Sequence, residues 1–410
     1  MINKRVGIIG GGPAGLMAAG CAAGRGHRVY VFEKNKRACR KLMITGKGRC
    51  NITNACPEDE LIKNIPGNGR FLYSTLSRYS NHDIMAFFND RGVRLKTERG
   101  NRVFPESDRA SDICDALTDY ALENHVVIKY NSSVREILSQ DGHVKGIVLD
   151  NGDLYELDAV VIATGGLSYP LTGSTGDGYK MAKTLGHSIT DLKPSLVPLE
   201  TVETWVRQLS GLTLKNIGLT VYDSDGKKVF SDQGEMLFTH FGVSGPLVLS
   251  ASRHILACGF TGSELVIDMK PALSEEILDR RIQRDFEKFS RKQLSNSLHE
   301  LLPKSMIPVF IQLLEILPEK PVNQITRQER QRMVSLLKGI RLTVSKSRPI
   351  AEAIVTAGGI RVNEIDPRTM ESKRIKGLYF AGEIIDVDAY TGGYNLTIAL
   401  STGYTAGSSI

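Results

Sequence analysis

The chain has 410 residues, 41% hydrophobic and 24% charged, the balance of an ordinary globular protein with room for two or three domains. Its 52 basic and 45 acidic side chains leave +7 at neutral pH and a pI near 9.0, a modest excess that favours anionic ligands without implying nucleic acid. No apolar run reaches the ~18 residues of a membrane span, and six scattered cysteines without a C-x-x-C pair fit reduced thiols in a cytoplasmic protein, with no metal site expected.

Val6 to Ile9 is a short apolar run suited to a buried parallel strand, and a strand starting by Arg5 leaves no room for a signal peptide. Gly10, Gly12 and Gly15 follow at G-x-G-x-x-G spacing and open a small-residue helix over Ala14 to Ala23. A second apolar run, Arg28 to Phe32, ends in Glu33, 18 residues after Gly15. Strand, glycine turn, helix, strand and terminal acid together form the dinucleotide-binding fingerprint. Gly10 allows the tight turn, Gly12 lets a pyrophosphate approach the backbone, and Gly15 lets helix and strand pack closely. The helix N-terminus, with Pro13 in its first turn, faces the phosphates, and Glu33 is placed to accept from ribose hydroxyls.

The loop from Arg40 to Asn54 is polar and glycine-punctuated (Thr45-Gly-Lys-Gly-Arg-Cys-Asn51), so Lys41 and the Gly46 to Arg49 stretch offer charge partners and amide donors to phosphates. A solvated surface loop is the plainer reading. Cys50 has no neighbouring cysteine to resolve an oxidised form and reads as structural. Helical spacing appears over Asn81 to Arg91 and Ser111 to Glu123, within a mixed helix and loop region from 69 to 125. Val126 to Tyr130 reads as a strand. A three-stranded antiparallel meander follows (133–137, 145–149, 154–157), with Asn151-Gly152 as its turn.

Ala159 to Ala163 is again apolar without alternation, and Thr164, Gly165 and Gly166 end it where a ligand or another backbone comes close. Gly173 to Gly178 runs in the wrong order for a second fingerprint and opens a helix over Tyr179 to Leu185. From Pro194 to Met269 short alternating segments predict a β-rich domain (214–222, 228–230, 235–239, 264–269). His240 and Ser244 lie inside it, but Gly242-Val-Ser-Gly-Pro is not a nucleophile elbow. Charged helices fill 274–337, beginning at a capping Ser274 and including a core helix over Met306 to Leu317. The basic face of this stretch reads as solvated. Gly339 to Val344 returns to strand. Gly377 to Glu383 is a strand ending in glycine and acid, and Tyr390 to Leu396 then opens a small-residue helix over Thr397 to Gly407. The N-terminus of that helix offers backbone N–H groups to an anion or a polarised carbonyl.

Taken in order, Gly10 to Gly15, the Thr45 to Asn51 loop, Leu237-Phe-Thr-His-Phe-Gly-Val-Ser-Gly-Pro246 and Gly377 to Leu396 resemble a bacterial family of FAD-dependent oxidoreductases. That family includes aminoacetone oxidase and the bile-acid 4,6-reductase of gut anaerobes. The resemblance spans nearly the whole chain. It implies an α/β fold with three parts: a Rossmann-type FAD-binding domain (1–193 and 353–410), an inserted β-barrel-like domain (194–271 and 338–352), and a helical domain inserted into that (272–337). FAD would then lie along Gly10, Gly12, Ala14 and Gly15 at the pyrophosphate, Glu33 at the adenosine ribose, and Lys34, Arg40, Lys41 and Gly46 beside ribose and phosphates. Val134 would meet adenine through its backbone. Thr164, Gly165, Gly382 and Glu383 would flank the phosphates and ribityl chain, and Asn395 with Leu396 the flavin ring edge. Cys39 stands where relatives often have a glycine before Arg40, which leaves the path of that loop open.

The implied activity is hydride transfer through flavin N5 that reduces a conjugated C=C of an organic substrate, steroid or bile-acid-like compounds among them. NAD(P)H is the expected electron source; no second fingerprint supplies a nicotinamide domain, so the reductant would bind transiently at the flavin face or electrons would come from another protein. Two alternatives stand beside it: an oxidase of a small amine such as aminoacetone, releasing H2O2, and a flavin-binding RNA-associated protein suggested by basic charge alone. Tyr390, Tyr394 and His240 are proton-donor candidates by position. The expected partner is a small organic molecule, with neither membrane nor nucleic acid expected, and the sequence does not set the oligomeric state.

Overall fold

Apolar runs without alternation suit strands covered on both faces, and such runs build the interior of a five-stranded central sheet whose edge strand at Val127–Lys129 is partly exposed. The structure, a computed structural model, describes residues 3–410. The strands are β1 (Arg5–Ile9), β2 (Arg28–Phe32), β3 (Val127–Lys129), β4 (Ala159–Ile162) and β5 (Leu378–Phe380). They pair in parallel in the order β5-β4-β1-β2-β3. The C-terminal strand thus returns to the far side of β4, bringing residues some 370 positions apart to one sheet end.

Helix α1 (Pro13–Gly24) follows β1, and helix α2 (Tyr394–Ser409) closes the chain. Both are rich in small residues, Ala and Gly in α1 and Ala, Gly, Ser and Thr in α2, because they pack backbone to backbone. A Cβ added at Gly403 would sit 2.4 Å from the Ala14 carbonyl oxygen, and one at Gly407 2.3 Å from that of Ala18. α2 starts at Tyr394, one turn earlier than its apolar pattern suggests, so Tyr394, Asn395 and Leu396 form its first turn rather than a loop before it.

One compact unit comprises the chain up to Ser195 together with Ile350–Ile410; the other is Leu196–Pro349. In the first, the 69–125 region also holds a hairpin (Leu95–Glu98 and Arg102–Pro105) joined by Thr53–Asn54 into a small antiparallel sheet. Charged residues on these short strands obscure any alternation in the sequence. The meander forms over Val134–Gln140, His143–Leu149 and Leu154–Glu156.

In the second unit six strands close into a barrel: Leu199–Thr201, Thr213–Tyr222, Lys228–Phe238, Gly242–Ser244, Glu264–Asp268 and Ile340–Ser347. The two segments expected at 228–230 and 235–239 are one long strand. Pro246–Ile255 is a helix, with proline in its first turn and Leu247, Val248, Ala251 and Ile255 buried. The helices Glu275–Lys288, Met306–Leu314 and Arg327–Lys338 bury their apolar faces in the same core as the barrel. Ser274 caps the first of them by accepting the Ile277 N–H at 3.3 Å. The second stops at Leu314 because Glu315 takes a left-handed conformation at φ 56°.

Candidate functional site

At the C-terminal ends of β1, β4 and β5 the first unit has a cleft of about 940 Å3, open solvent at its mouth included. That place, at the crevice beyond the carboxyl ends of the strands of an open parallel sheet, suits a ligand. Its walls bring together Gly10, Gly12, Ala14, Glu33, Lys34, Arg40, Lys41, Val134, Thr164, Gly165, Gly382 and Glu383.

The glycines separate by role. A Cβ at Gly15 would fall 2.0 Å from the Gly10 carbonyl oxygen, so helix α1 meets β1 closely enough to require glycine there. At Gly12 an added Cβ would have nothing within 4 Å, and its backbone (φ −80°, ψ 179°) is open to any residue. The protein's own packing therefore does not demand glycine at 12. The space a side chain there would fill is open cleft.

Two carboxylates organise the walls. Glu33, at the end of β2 and only 7% exposed, accepts the Gly11 N–H at 2.8 Å, the Asn35 N–H at 2.8 Å and the Asn35 side-chain amide at 2.6 Å. Of about four acceptor positions on a carboxylate three are in use, so Glu33 ties the glycine turn to the following loop and keeps one acceptor position open. Glu383, past β5, accepts Lys41 Nζ at 2.7 Å, the Ser168 hydroxyl at 3.0 Å and the Thr356 N–H at 2.9 Å. Ser168 Oγ in turn accepts Lys41 Nζ at 2.6 Å. Ser168 and Thr356 escaped the sequence reading. A serine two residues beyond Gly166 was their one local signal.

The remaining cations are also held. Lys34 pairs with Asp177 at 2.6 Å, and Arg40 donates to the Asn35 side-chain oxygen at 2.7 Å. Thr164 Oγ1, buried in the cleft wall, has no hydrogen-bond partner. An orphaned hydroxyl beside a glycine that packing does not require is what a polar ligand would complete.

Several expected residues lie off this cleft. Gly15 packs behind it, and Gly46 is exposed in the kinked turn over Leu42–Gly48. The Asn395 side chain pins the preceding loop: its oxygen accepts the Ala389 N–H at 3.0 Å, and its amide donates to the carbonyls of Ala389 (2.8 Å) and Tyr390 (3.2 Å). Any contact from Asn395 or Leu396 to a ligand thus falls to the first-turn N–H groups of α2. The Tyr394 hydroxyl lies against Cys56, and burial with that thiol beside it pushes the phenol well above its ordinary range. Tyr390 is half-buried, its N–H donating to the Asn64 carbonyl at 3.1 Å. His240 belongs to the second unit, where it packs edge-on against Phe241.

The model of the HI0933-like protein Rossmann domain matches residues 4–409. The chain belongs to that family. It is 30% identical, over 98% of both chains, to the 3-dehydro-bile acid delta(4,6)-reductase of Clostridium scindens. It is 32% identical, over 97% of itself and 95% of the relative, to the ribosomal RNA dihydrouridine synthase of Escherichia coli. The 3-ketosteroid delta1-dehydrogenase of Sterolibacterium denitrificans shares the fold at 14% identity and a TM-score of 0.53, with 99% of each chain covered. This family is the group of FAD-dependent oxidoreductases that the motifs resemble, and the chain is an oxidoreductase of that class. No helix among the described residues is long and apolar enough to cross a membrane.

Proposed function

We propose that this enzyme binds FAD in the cleft and reduces a C=C bond conjugated to a carbonyl, with NAD(P)H as electron source. The observation that carries the reading is the cleft itself: Gly12 open to a ligand, Thr164 Oγ1 without a partner, and Glu33 and Glu383 fixed at its two ends. FAD, once bound, supplies the hydride that such a reduction needs. The two full-length relatives support the reaction class. A bile-acid delta(4,6)-reductase and a dihydrouridine synthase are named for different substrates, yet a dienone and a uracil ring both offer a C=C next to a carbonyl. Hydride adds to the carbon remote from the carbonyl, a proton adds to the near carbon, and the carbonyl oxygen is stabilised meanwhile.

The chain's own contribution is placement and proton delivery. Glu33 with the α1 N-terminus would hold the adenosine and pyrophosphate, and Lys41 with Glu383 the ribityl side. The first turn of α2 presents N–H groups suited to the developing negative charge on a carbonyl oxygen. We assign the proton to Tyr390 over Tyr394, because the Tyr394 hydroxyl is buried against Cys56. The six cysteines, all unpaired, suit a cytoplasmic setting.

Mixing the anaerobic holoprotein with NADH or NADPH tests the reading. Rapid bleaching of the flavin, and its return on adding a conjugated enone or uridine RNA, is the expected result. Tyr390→Phe should leave bleaching intact and slow the return by about 10²-fold or more. Bleaching by aminoacetone alone, with peroxide formed in air, would replace the reductase with the amine oxidase.

A further inference from the structure

Residues 169–176 lie between the end of β4 and the helix Asp177–Thr184, outside every strand and α-helix. A single 3-10 turn at Pro170–Thr172 is their one regular piece. Their bonds to one another are local: the N–H groups of Thr172 and Gly173 donate to the carbonyls of Tyr169 and Pro170 at 2.8 and 3.0 Å, and the Thr172 hydroxyl donates to the Tyr169 carbonyl at 2.7 Å. Leu171, in the turn, is 87% exposed and too free of neighbours to anchor it. A self-bonded turn without an apolar footing belongs to the parts of a fold that open at low cost.

Both ends of the stretch are fixed. Before it, the Leu167 N–H donates to Thr356 Oγ1 at 2.8 Å, and the Tyr169 N–H donates to the Ala351 carbonyl at 3.1 Å. After it, the helix buries Gly178, Tyr179, Met181 and Ala182. Between the ends, polar contacts hold it to the segment that follows β2. Lys34 Nζ donates to the Thr175 hydroxyl and to the Asp177 carboxylate (2.6 Å), and Asn35 Nδ2 donates to the Thr172 carbonyl at 3.2 Å. Gly173 sits on Asn35 so closely that an added Cβ would fall 2.5 Å from Nδ2. Lys34 and Asn35 line the cleft, and so do Thr172, Gly173 and Asp177 from their distant segment. These contacts therefore join two of its walls.

The Lys34 and Asp177 side chains are 28% and 37% exposed, so water and salt screen their attraction. Contacts of this kind keep a loop down most of the time yet let it lift often. Their place gives the lifting a use. Lys34 and Asn35 directly follow Glu33, and the Asn35 amide that holds Thr172 also donates to Glu33 at 2.6 Å. The acid that would take the adenosine ribose and the contacts that close the cleft are thus one bonded group.

We propose that residues 169–176 form a strap over the adenosine end of the cleft, latched by Lys34 and Asn35, and that FAD enters and leaves when the latch lets go. The proposal rests on the reading above that FAD lies in the cleft with its adenosine at Glu33. A flavin that is reduced and reoxidised in each turnover stays with its protein while smaller molecules come and go at the ring. A strap at the adenosine end keeps FAD in place through those exchanges, and its opening leaves a route for loading the cofactor into the folded chain. Lys34 then serves the strap instead of a phosphate.

Two rates separate a latch from a phosphate contact. A latch slows both uptake and release, because FAD passes the same opening in each direction; a phosphate contact speeds uptake and slows release. Uptake is followed by the change in FAD fluorescence on mixing with the full-length apoprotein. Release is followed by chasing radiolabelled FAD from the holoprotein with excess unlabelled FAD. Lys34→Met and Asp177→Asn should each raise both rates by about threefold to tenfold, and so leave the dissociation constant within about threefold of the parent's. Thr175→Val, at an exposed position that gives up one latch contact, should move both rates the same way by less. Slower uptake in Lys34→Met overturns the latch in favour of a phosphate contact, and rates equal to the parent's in all three variants overturn it outright. A parent that takes up no FAD removes the cofactor reading itself, a result distinct from FAD that binds and exchanges at unchanged rates.

Discussion

Gly12 and Gly15 are three residues apart in one fingerprint, yet the structure gives them opposite sensitivities. A methyl at Gly12 projects into the open cleft from an unstrained backbone, so Gly12→Ala should change the stability of the FAD-free protein by less than about 0.5 kcal/mol. It should nonetheless weaken FAD binding, because the methyl takes the space where the pyrophosphate meets the backbone. At Gly15 the same methyl strikes a carbonyl at 2.0 Å; Gly15→Ala should cost about 1–3 kcal/mol of stability even without FAD. Thermal melts of the two apo variants, with flavin titration of the folded ones, check the pair; equal melting losses would show that Gly12 is also held by packing. The spacing of these glycines is local and so was legible. The setting of Glu383 was not, because its partner Ser168 is 215 residues away and meets it only when β5 lies beside β4. The bonds of the Asn395 side chain to Ala389 and Tyr390 were not legible either, because they form only when the loop before α2 folds back on its first turn.

Elements as well as residues are tied by contacts that no local pattern announces. His187, just past the helix Asp177–Thr184, has a fully buried ring that bonds Glu364 through Nδ1 at 3.0 Å and Ser372 Oγ through Nε2 at 2.9 Å. The order serine, histidine, acid imitates a hydrolase triad, but the Ser372 oxygen already accepts the N–H groups of Arg374 and Ile375. Its proton goes to His187, which fixes a neutral ring donating to Glu364, so the trio is a clamp between two segments. Burial holds the His187 imidazole below its usual range, against the opposing pull of Glu364. Burial also raises the Glu364 carboxyl, but Arg374 and the Ser188 N–H outweigh it and bring it down to about 2. Both shifts have one sign. Below about pH 6.5 the unfolded histidine takes a proton that the folded one refuses, and below about 4.5 the unfolded glutamate does the same, so stability falls with pH through each window in turn. His187→Gln keeps a donor for Glu364 and an acceptor for Ser372 but cannot titrate. Its urea midpoint should fall less than the parent's between about pH 7 and about pH 5; parallel curves would mean that His187 does not titrate there. Long periodic elements such as β1, α1 and the helix Ala110–Glu123 were legible, whereas this clamp and the Arg102–Pro105 hairpin depend on pairings set by the tertiary fold.

At the scale of the whole chain, the cleft and the barrel are built from separate stocks of residues. Every residue lining the cleft lies in the first unit, and the barrel with its helices has its own core around Phe238, Phe310 and Leu342. Alternating segments made the β-rich region readable, but closure was not, because it depends on the first strand, Leu199–Thr201, finding the last, Ile340–Ser347. That pairing places the two ends of the insertion side by side: Leu199 faces Ser347, and the Arg348 N–H donates to the Pro198 carbonyl at 2.9 Å. On the other side of the cut Lys193–Ser195 pairs with Val355–Ala357, with Ser195 facing Val355. Both units therefore have neighbouring ends, and a closed barrel leaves no open sheet edge when released. Residues 196–349 expressed alone should fold cooperatively, with near-UV circular dichroism and a single urea transition, and should bind no flavin. The complementary protein, with Ser195 joined to Ile350 by a short glycine-serine linker, should retain FAD, since no lining residue has been removed. A fragment 196–349 without cooperative unfolding would show that its core is too weak to stand by itself. A linked protein that folds but no longer holds FAD would show that the cleft draws on residues outside the first unit, which its lining as observed does not.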